Sequence, residues 1–348
     1  MESMQELIEK GRQYVMNTYA RFPYAFTKGE GVYLYDMDGK KYLDFVAGIA
    51  VNSLGYGNEA LISNLNAQMQ KVFHTSNLYW IEPQVKLAEA LVQRSCADKV
   101  FFCNSGTEAT EAALKLARKY GSQVGGPEKC QIITMKNSFH GRTFGAITAT
   151  GQTKYQKGLG PMLPEIVYAE YNDIESVRAL ASKEKTCGIL VEPVQGEGGV
   201  IPADPAFMQE LRKLCSELDI LMMVDEVQTG IGRTGTLFGY EHFGIEPDVI
   251  ALAKGLGGGM PIGAMMAKDF CASAFGPGDH AATFGGNFLS TTAGLTVLSE
   301  IDRMHLLENA QEQGAHLQER AKKLQEKYDF IQEVRGLGLM QGIILNEA

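Results

Sequence analysis

Apolar and polar residues alternate in two different rhythms along the chain, and the change of rhythm divides it. Residues 1–20 read as a leading helix. GVYLYDMDGKKYLDF then alternates apolar with polar positions around Asp38-Gly39, the mark of a hairpin. From about residue 55 to residue 295 short, continuous apolar runs take over: KVFFCN, CQIITMKN, CGILVEPV, DILMMVDEV, PDVIALAKG and IGAMMAK, separated by helical stretches. Strands apolar on both sides and alternating with helices predict an α/β fold, with a large, mainly parallel sheet covered on both faces. Ligands of such sheets sit beyond the carboxyl ends of the strands, so the residues just after each run are the candidate site. After about Thr296 a long amphipathic helix is expected to Tyr328, and FIQEVRGLGLMQGIILNEA reads as two short strands.

Composition narrows the function. The 348 residues are 45% hydrophobic, enough for a sizeable core, and carry a net charge of -9 with a pI near 5.3. An acidic surface repels phosphate backbones, which argues against a nucleic-acid partner. Lys115, Arg118 and Lys119 stand at helical spacing and read as a solvated helix face. The six cysteines show no C-x-x-C spacing and no zinc pattern. MESMQELIEKGRQ has no apolar signal core, and no run of about 18 apolar residues suggests a membrane span. The expectation is a reduced, cytoplasmic protein with no metal and no membrane partner.

Five strand ends carry chemistry. In CNSGTEATEAALKLARKYG, Ser105 and Glu108 fit a capping box opening a helix to about Tyr120. Gly106 and Thr107 then lie at a helix N-terminus, which is either an ordinary cap or an anion site. NSFHGRTFG offers the flat ring of Phe139 and, in Arg142, a fork suited to a carboxylate; His140 reads as a packing or orienting residue. In VEPVQGEGGV, Glu192 and Glu197 are either paired acids or solvated residues of a glycine turn. Asp225 ends a strongly apolar strand, where an ionised carboxylate needs a cationic partner. The GIGRTG that follows matches the dinucleotide fingerprint, but it neither abuts the strand nor opens a helix. Lys254 also ends a buried strand, before Gly255 and Gly257–Gly259. Desolvation there favours the neutral amine, the form that condenses with carbonyls.

The set has a chemical meaning. Pyridoxal phosphate needs a lysine for its aldehyde, a carboxylate for its ring nitrogen, a stacking ring and an anion site for its phosphate. Lys254, Asp225, Phe139 and Ser105–Thr107 supply those four groups at one sheet edge. On that reading GIGRTG is a loop that lets backbone pass close by.

The motifs LYDMDGKKYLDFVAGIAVN, HTSNLYW, NSGTEATEAALK, FHGRTFGAITATGQTKYQ, VEPVQGEGG, VDEVQTGIGRTG, DVIALAKGLGGGMPIGA and TFGGN resemble those of class III pyridoxal-phosphate aminotransferases of fold type I, most closely the acetylornithine branch. The resemblance implies a small α+β domain built from 1–54 and 296–348 around a large cofactor domain, 55–295. It implies that Lys254 and Asp225 are catalytic and that Gln228 lies beside the ring hydroxyl. Ser105, Gly106 and Thr107 would hold the phosphate, with Thr283 reaching in from a second subunit of a homodimer. Arg142, Glu197 and Ala282 would meet substrate. The implied reaction moves the δ-amino group of N2-acetylornithine to 2-oxoglutarate. Succinylornithine, N-succinyl-diaminopimelate and other ω-amines are the alternative donors. A dinucleotide oxidoreductase built on GIGRTG and a non-catalytic fragment are the competing classes. Related ornithine enzymes carry a tyrosine where this chain has Ile49, which favours an acylated α-amine. Ala282-Thr283 stands where the family often has Ser-Thr. The family usually continues past residue 348 with further small-domain strands and an arginine that pairs with the acid at Glu197, so the C-terminal part is expected to be incomplete.

Overall fold

The computed structural model describes residues 2–346. Its centre is a seven-stranded sheet: β1 Lys99–Cys103, β2 Gln131–Met135, β3 Ile166–Ala169, β4 Thr186–Val191, β5 Leu221–Asp225, β6 Val249–Leu252 and β7 Gly263–Ala267. The strand order is β1-β7-β6-β5-β4-β2-β3. Every pairing is parallel except the two made by β7, which runs against both β6 and β1. The sheet is therefore mixed, as a mainly parallel expectation allows. Direction is invisible in hydrophobicity, because a strand buried on both faces looks the same either way. The connection betrays it: only Ala253–Ile262 separate β6 from β7, too few for the dozen or so residues that a parallel crossover needs. Strand β3 went unanticipated. It is a four-residue edge strand, IVYA, three of whose residues are only half-buried.

The helix Gly106–Gly125 lies on this sheet through Leu116 and the small residues Ala109, Ala112, Ala113 and Ala117, which let it approach β4, β6 and β7 closely. It passes the expected end at Tyr120. Gly121 looks like a stop signal but is a contact: a Cβ there would stand 2.3 Å from the Lys129 carbonyl and 2.5 Å from Cys187 Cβ.

At the N-terminal end, the helix Met4–Tyr14 is capped by Ser3 and Glu6 and is shorter than the expected span of 1–20. The expected hairpin forms as part of a three-stranded antiparallel meander, Phe26–Glu30, Tyr33–Asp36 and Lys41–Leu43. Asp36 Oδ1 accepts the backbone N–H groups of Asp38 and Lys40 and so closes the turn at Gly39. The single long helix expected from Thr296 to Tyr328 is two helices, Phe288–Arg303 and Leu306–Lys327. They break at His305, whose φ of +52° cannot continue a right-handed helix. Thr296, Val297, Leu298 and Ile301 bury the first helix against Glu59–Met69 and Glu82–Val92. The second lies on the hairpin Ile331–Leu337/Met340–Leu345, the two strands expected at this end.

Candidate active site

The carboxyl ends of β1, β2, β4, β5 and β6 converge on one cavity of about 390 Å³. Nine of the eleven residues expected to bind cofactor or substrate line it: Ser105, Gly106, Thr107, Phe139, Arg142, Glu197, Asp225, Gln228 and Lys254, with His140 and Glu192 beside them. Ala282 and Thr283 do not. They line a separate surface depression with Asn77, Gln84 and Phe101, and the Ala282 carbonyl accepts Asn77 Nδ2 at 3.3 Å. Ile49 also stays outside, 62% exposed, while Val51 from the same turn forms part of the cavity wall.

Asp225 is buried at the end of β5, and its partner is His140: Nδ1 lies 2.7 Å from Oδ2. The other carboxylate oxygen accepts the Val227 N–H at 3.0 Å. Burial alone pulls the imidazole pKa down. The hydrogen bond and negative charge of Asp225, with Glu192 nearby, outweigh it and raise the His140 pKa. The charge requirement of a buried strand-end acid was legible in the sequence; the partner 85 residues away was not. His140, read from the sequence as a packing or orienting residue, is thus buried and bonded to Asp225.

Glu192 and Glu197 are neither a matched pair nor two solvated acids. Glu197 is exposed at the cavity rim, whereas Glu192 is buried and accepts the Phe139 N–H at 3.1 Å. Burial pushes the Glu192 carboxyl up to about 8, helped by Asp225 and opposed by His140. An unfolded glutamate titrates near 4.5. The folded chain therefore holds an extra proton between these values. Its stabilising contribution is full below about pH 4.5 and drains away as pH rises through about 8. Glu192→Gln, which cannot ionise, is expected to flatten the fall in stability over this window by up to about 1 kcal/mol per pH unit. Urea unfolding of both proteins at pH 5, 6.5 and 8 checks this, and parallel stability curves would refute it.

Lys254 opens the short turn after β6 with a φ of +43°, a left-handed conformation costly for a side chain and often found where function imposes it. Burial lowers its pKa, against the pull of Asp225, Glu197 and Glu192. Among the described residues its Nζ donates no hydrogen bond and makes no ion pair within 4.0 Å, so the amine is free.

At the opposite wall, Ser105 caps the helix Gly106–Gly125, its Oγ accepting the Glu108 N–H at 3.4 Å. The Glu108 carboxylate returns to Asn104, at 2.6 Å from N and 2.9 Å from Nδ2, so the reciprocal half of the expected box falls one residue earlier. The first N–H groups of a twenty-residue helix thus face the cavity. Arg142 is exposed, its guanidinium 4.1 Å from the Tyr155 ring centre and 5.5 Å from that of Phe139.

GIGRTG opens no helix; turns follow it as far as the short 3-10 segment Gly239–Phe243. It is a seat for the C-terminal elements. The Leu339 N–H donates to the Arg233 carbonyl at 3.0 Å, and Gln311 Nε2 donates to the Gly235 carbonyl at 2.6 Å. A Cβ on Gly338 would lie 2.3 Å from the Thr234 carbonyl carbon. Backbone does pass close at this loop, and the strand–turn–helix geometry of a dinucleotide site is lacking. Glu226, buried just after Asp225, ties the same loop down by accepting the Gly239 and Tyr240 N–H groups at 2.9 and 2.7 Å. Nothing in the sequence signalled that role. Among the described residues no cluster of metal-binding side chains occurs, and no helix is long and apolar enough to cross a membrane.

Known proteins are close to this chain in sequence. The acetylornithine aminotransferase of Caldanaerobacter subterraneus subsp. tengcongensis is 52% identical over 336 residues, which cover 97% of this chain and 85% of that protein. That of Gloeobacter violaceus is 54% identical, covering 96% and 84%. A solved ornithine aminotransferase from Toxoplasma gondii, described as showing partial occupancy of PLP at its active site, superposes with a TM-score of 0.95 at 31% identity over 99% of this chain and 82% of that one. The family model described as aminotransferase class-III matches residues 14–348, and with these relatives it shows that the chain belongs to the class-III aminotransferases.

Proposed function

We propose that this aminotransferase, which acts on an amino donor and a keto acid, takes the δ-amino group of N2-acetylornithine and passes it to 2-oxoglutarate with pyridoxal phosphate as cofactor. The products are N-acetylglutamate 5-semialdehyde and glutamate, a step of arginine biosynthesis. One observation carries the chemistry: a free amine, Lys254, and a buried carboxylate, Asp225, at the ends of adjacent parallel strands face one cavity walled by a helix N-terminus.

The residues fit the cofactor. The N–H groups of Gly106 and Thr107 suit a phosphate, reinforced by the helix dipole. Asp225 has spent only part of its hydrogen-bonding capacity on His140 and Val227, which leaves lone pairs for a ring N–H. Phe139 offers a half-buried ring for stacking, and Gln228 lines the same wall. When bound, pyridoxal phosphate supplies an aldehyde and a protonated ring that accepts electrons as a substrate C–H bond breaks. The rest is the work of the chain. Lys254 Nζ, whose pKa burial lowers, accepts the proton lost from the donor δ-carbon. Asp225, oriented by His140, holds negative charge at the floor. Arg142 pairs with a substrate carboxylate. Glu197, at the rim, meets the part in which donor and 2-oxoglutarate differ.

The acylated donor is supported by the relatives, which are acetylornithine aminotransferases. A homodimer is supported by the bare surface: Phe22, Phe45, Leu78 and Trp80 are 82%, 86%, 86% and 91% exposed. In that assembly the partner subunit's Thr283 completes the phosphate site. Six free cysteines suit a reducing, cytoplasmic setting.

Rates with 2-oxoglutarate and added cofactor test the reading. N-acetylornithine is expected to exceed ornithine, succinylornithine and N-succinyl-diaminopimelate in kcat/KM. A preference for any of the other three would overturn the donor assignment and leave the chemistry standing.

A further inference from the structure

Glu111 has no place in the chemistry above, yet it holds together two of the site's walls. It lies one turn beyond Thr107 on the helix Gly106–Gly125. Its Oε1 accepts the N–H groups of Gly145 and Ala146 at 2.9 and 3.2 Å, together with the Thr143 hydroxyl. Gly145 and Ala146 are in the first turn of the helix Phe144–Ala149, whose own N-cap, Thr143, makes no side-chain capping bond. A carboxylate from a neighbouring helix thus does the capping, satisfying donors that would otherwise be orphaned.

The hydroxyls extend the network in one direction. An ionised carboxylate has no proton to give, so Thr143 donates to Glu111. Thr107 must then donate to Thr143, across 2.9 Å. The Thr107 oxygen in turn accepts the N–H groups of Arg142 and Thr143 at 3.2 and 3.3 Å. The proton of the Thr107 hydroxyl is therefore committed away from the cavity, which leaves its backbone N–H for an anion.

We propose that Glu111 is a positioning residue that sets Arg142 and Thr107 together, coupling the substrate-carboxylate site to the phosphate site. The proposal rests on the roles given above to Arg142 and Thr107.

Glu111→Ala and Glu111→Gln test it, with steady-state kinetics for both substrates and the cofactor dissociation constant measured by equilibrium dialysis. Glu111→Ala is expected to raise both KM values by about tenfold and weaken cofactor binding, with kcat within about threefold. Glu111→Gln, whose amide oxygen accepts the same N–H groups, is expected to recover most of the loss. On an Arg142→Ala background, Glu111→Ala should raise KM by less than about twofold, since Glu111 acts on the substrate carboxylate only by positioning Arg142, through Thr143 and Thr107. A lower melting temperature with unchanged KM and unchanged cofactor binding would reduce Glu111 to a structural brace and overturn the proposal. So would the full KM increase on the Arg142→Ala background. If Arg142→Ala alone leaves both KM values unchanged, the role given to Arg142 fails by itself. The cofactor dissociation constant then decides for Glu111: a rise in Glu111→Ala upholds its hold on Thr107, and no rise ends the proposal.

Discussion

Lys254→Ala is expected to lower transamination by about 10⁴-fold or more, the upper range for removing a group that moves a proton in the rate-determining step. No substitute stands ready. Among the described residues Lys254 is the only amine lining the cavity. The fold should survive. The left-handed φ of +43° strains any residue with a Cβ, so alanine adds no new strain, and removing a half-buried amine relieves a desolvation cost. Activity and melting temperature measured together check this. The variant should melt no lower than the parent and turn over nothing measurable. Substantial residual turnover would remove Lys254 from the chemistry, and a collapsed melting temperature would make the activity loss uninformative.

The second large effect is expected from Asp225→Asn, which keeps the shape of the side chain and deletes its charge. A fixed charge aimed at the reacting group in a site shielded from water contributes about 10²- to 10³-fold in kcat, and a loss of that size is expected. The change reaches His140 as well. With Asp225 ionised, the His140 pKa is raised on folding. Its protonated form therefore contributes stability that is full below the unfolded value near 6.5 and is lost as pH rises through the folded value. In Asp225→Asn the hydrogen bond and charge that offset burial are gone and only the pull of Glu192 remains, so the imidazole pKa should fall and this part of the pH dependence should shrink. Activity with saturating cofactor, and unfolding measured from pH 5 to 8, check the two halves separately. An unchanged kcat would show that the carboxylate does not face the reacting ring. An unchanged pH dependence would show that its bond to His140 carries no charge.

Lys254, Asp225 and Ser105–Thr107 were legible because each immediately follows an apolar run, and in a sheet of this kind the residue after a strand is at the site by construction. Two strands of the fold read poorly, for different reasons. Strand β3 has one neighbour and little burial, so its pattern is weak, and β7 hides its direction because both of its faces are apolar. The helix break at His305 also had no local signal; beyond it Leu306 packs on the main core and Gly314 meets Gly338 of the hairpin turn.

The pairings around the site had no local signal. His140 reaches Asp225 across 85 positions, Glu111 reaches Gly145 across 34, and Gly338 meets Thr234 only because the C-terminal hairpin folds back onto the loop. The decoy GIGRTG shows the limit in the other direction: six letters match a fingerprint, and the missing strand–turn–helix geometry empties the match of meaning. By itself the amino-acid sequence determined which groups stand at the strand ends and the chemistry they can do together, because hydrophobic period and chain order act locally. Tertiary structure alone decided which acid is buried, which histidine answers the aspartate and which carboxylate caps the neighbouring helix. Those depend on burial and hydrogen bonding between segments that only packing brings into contact.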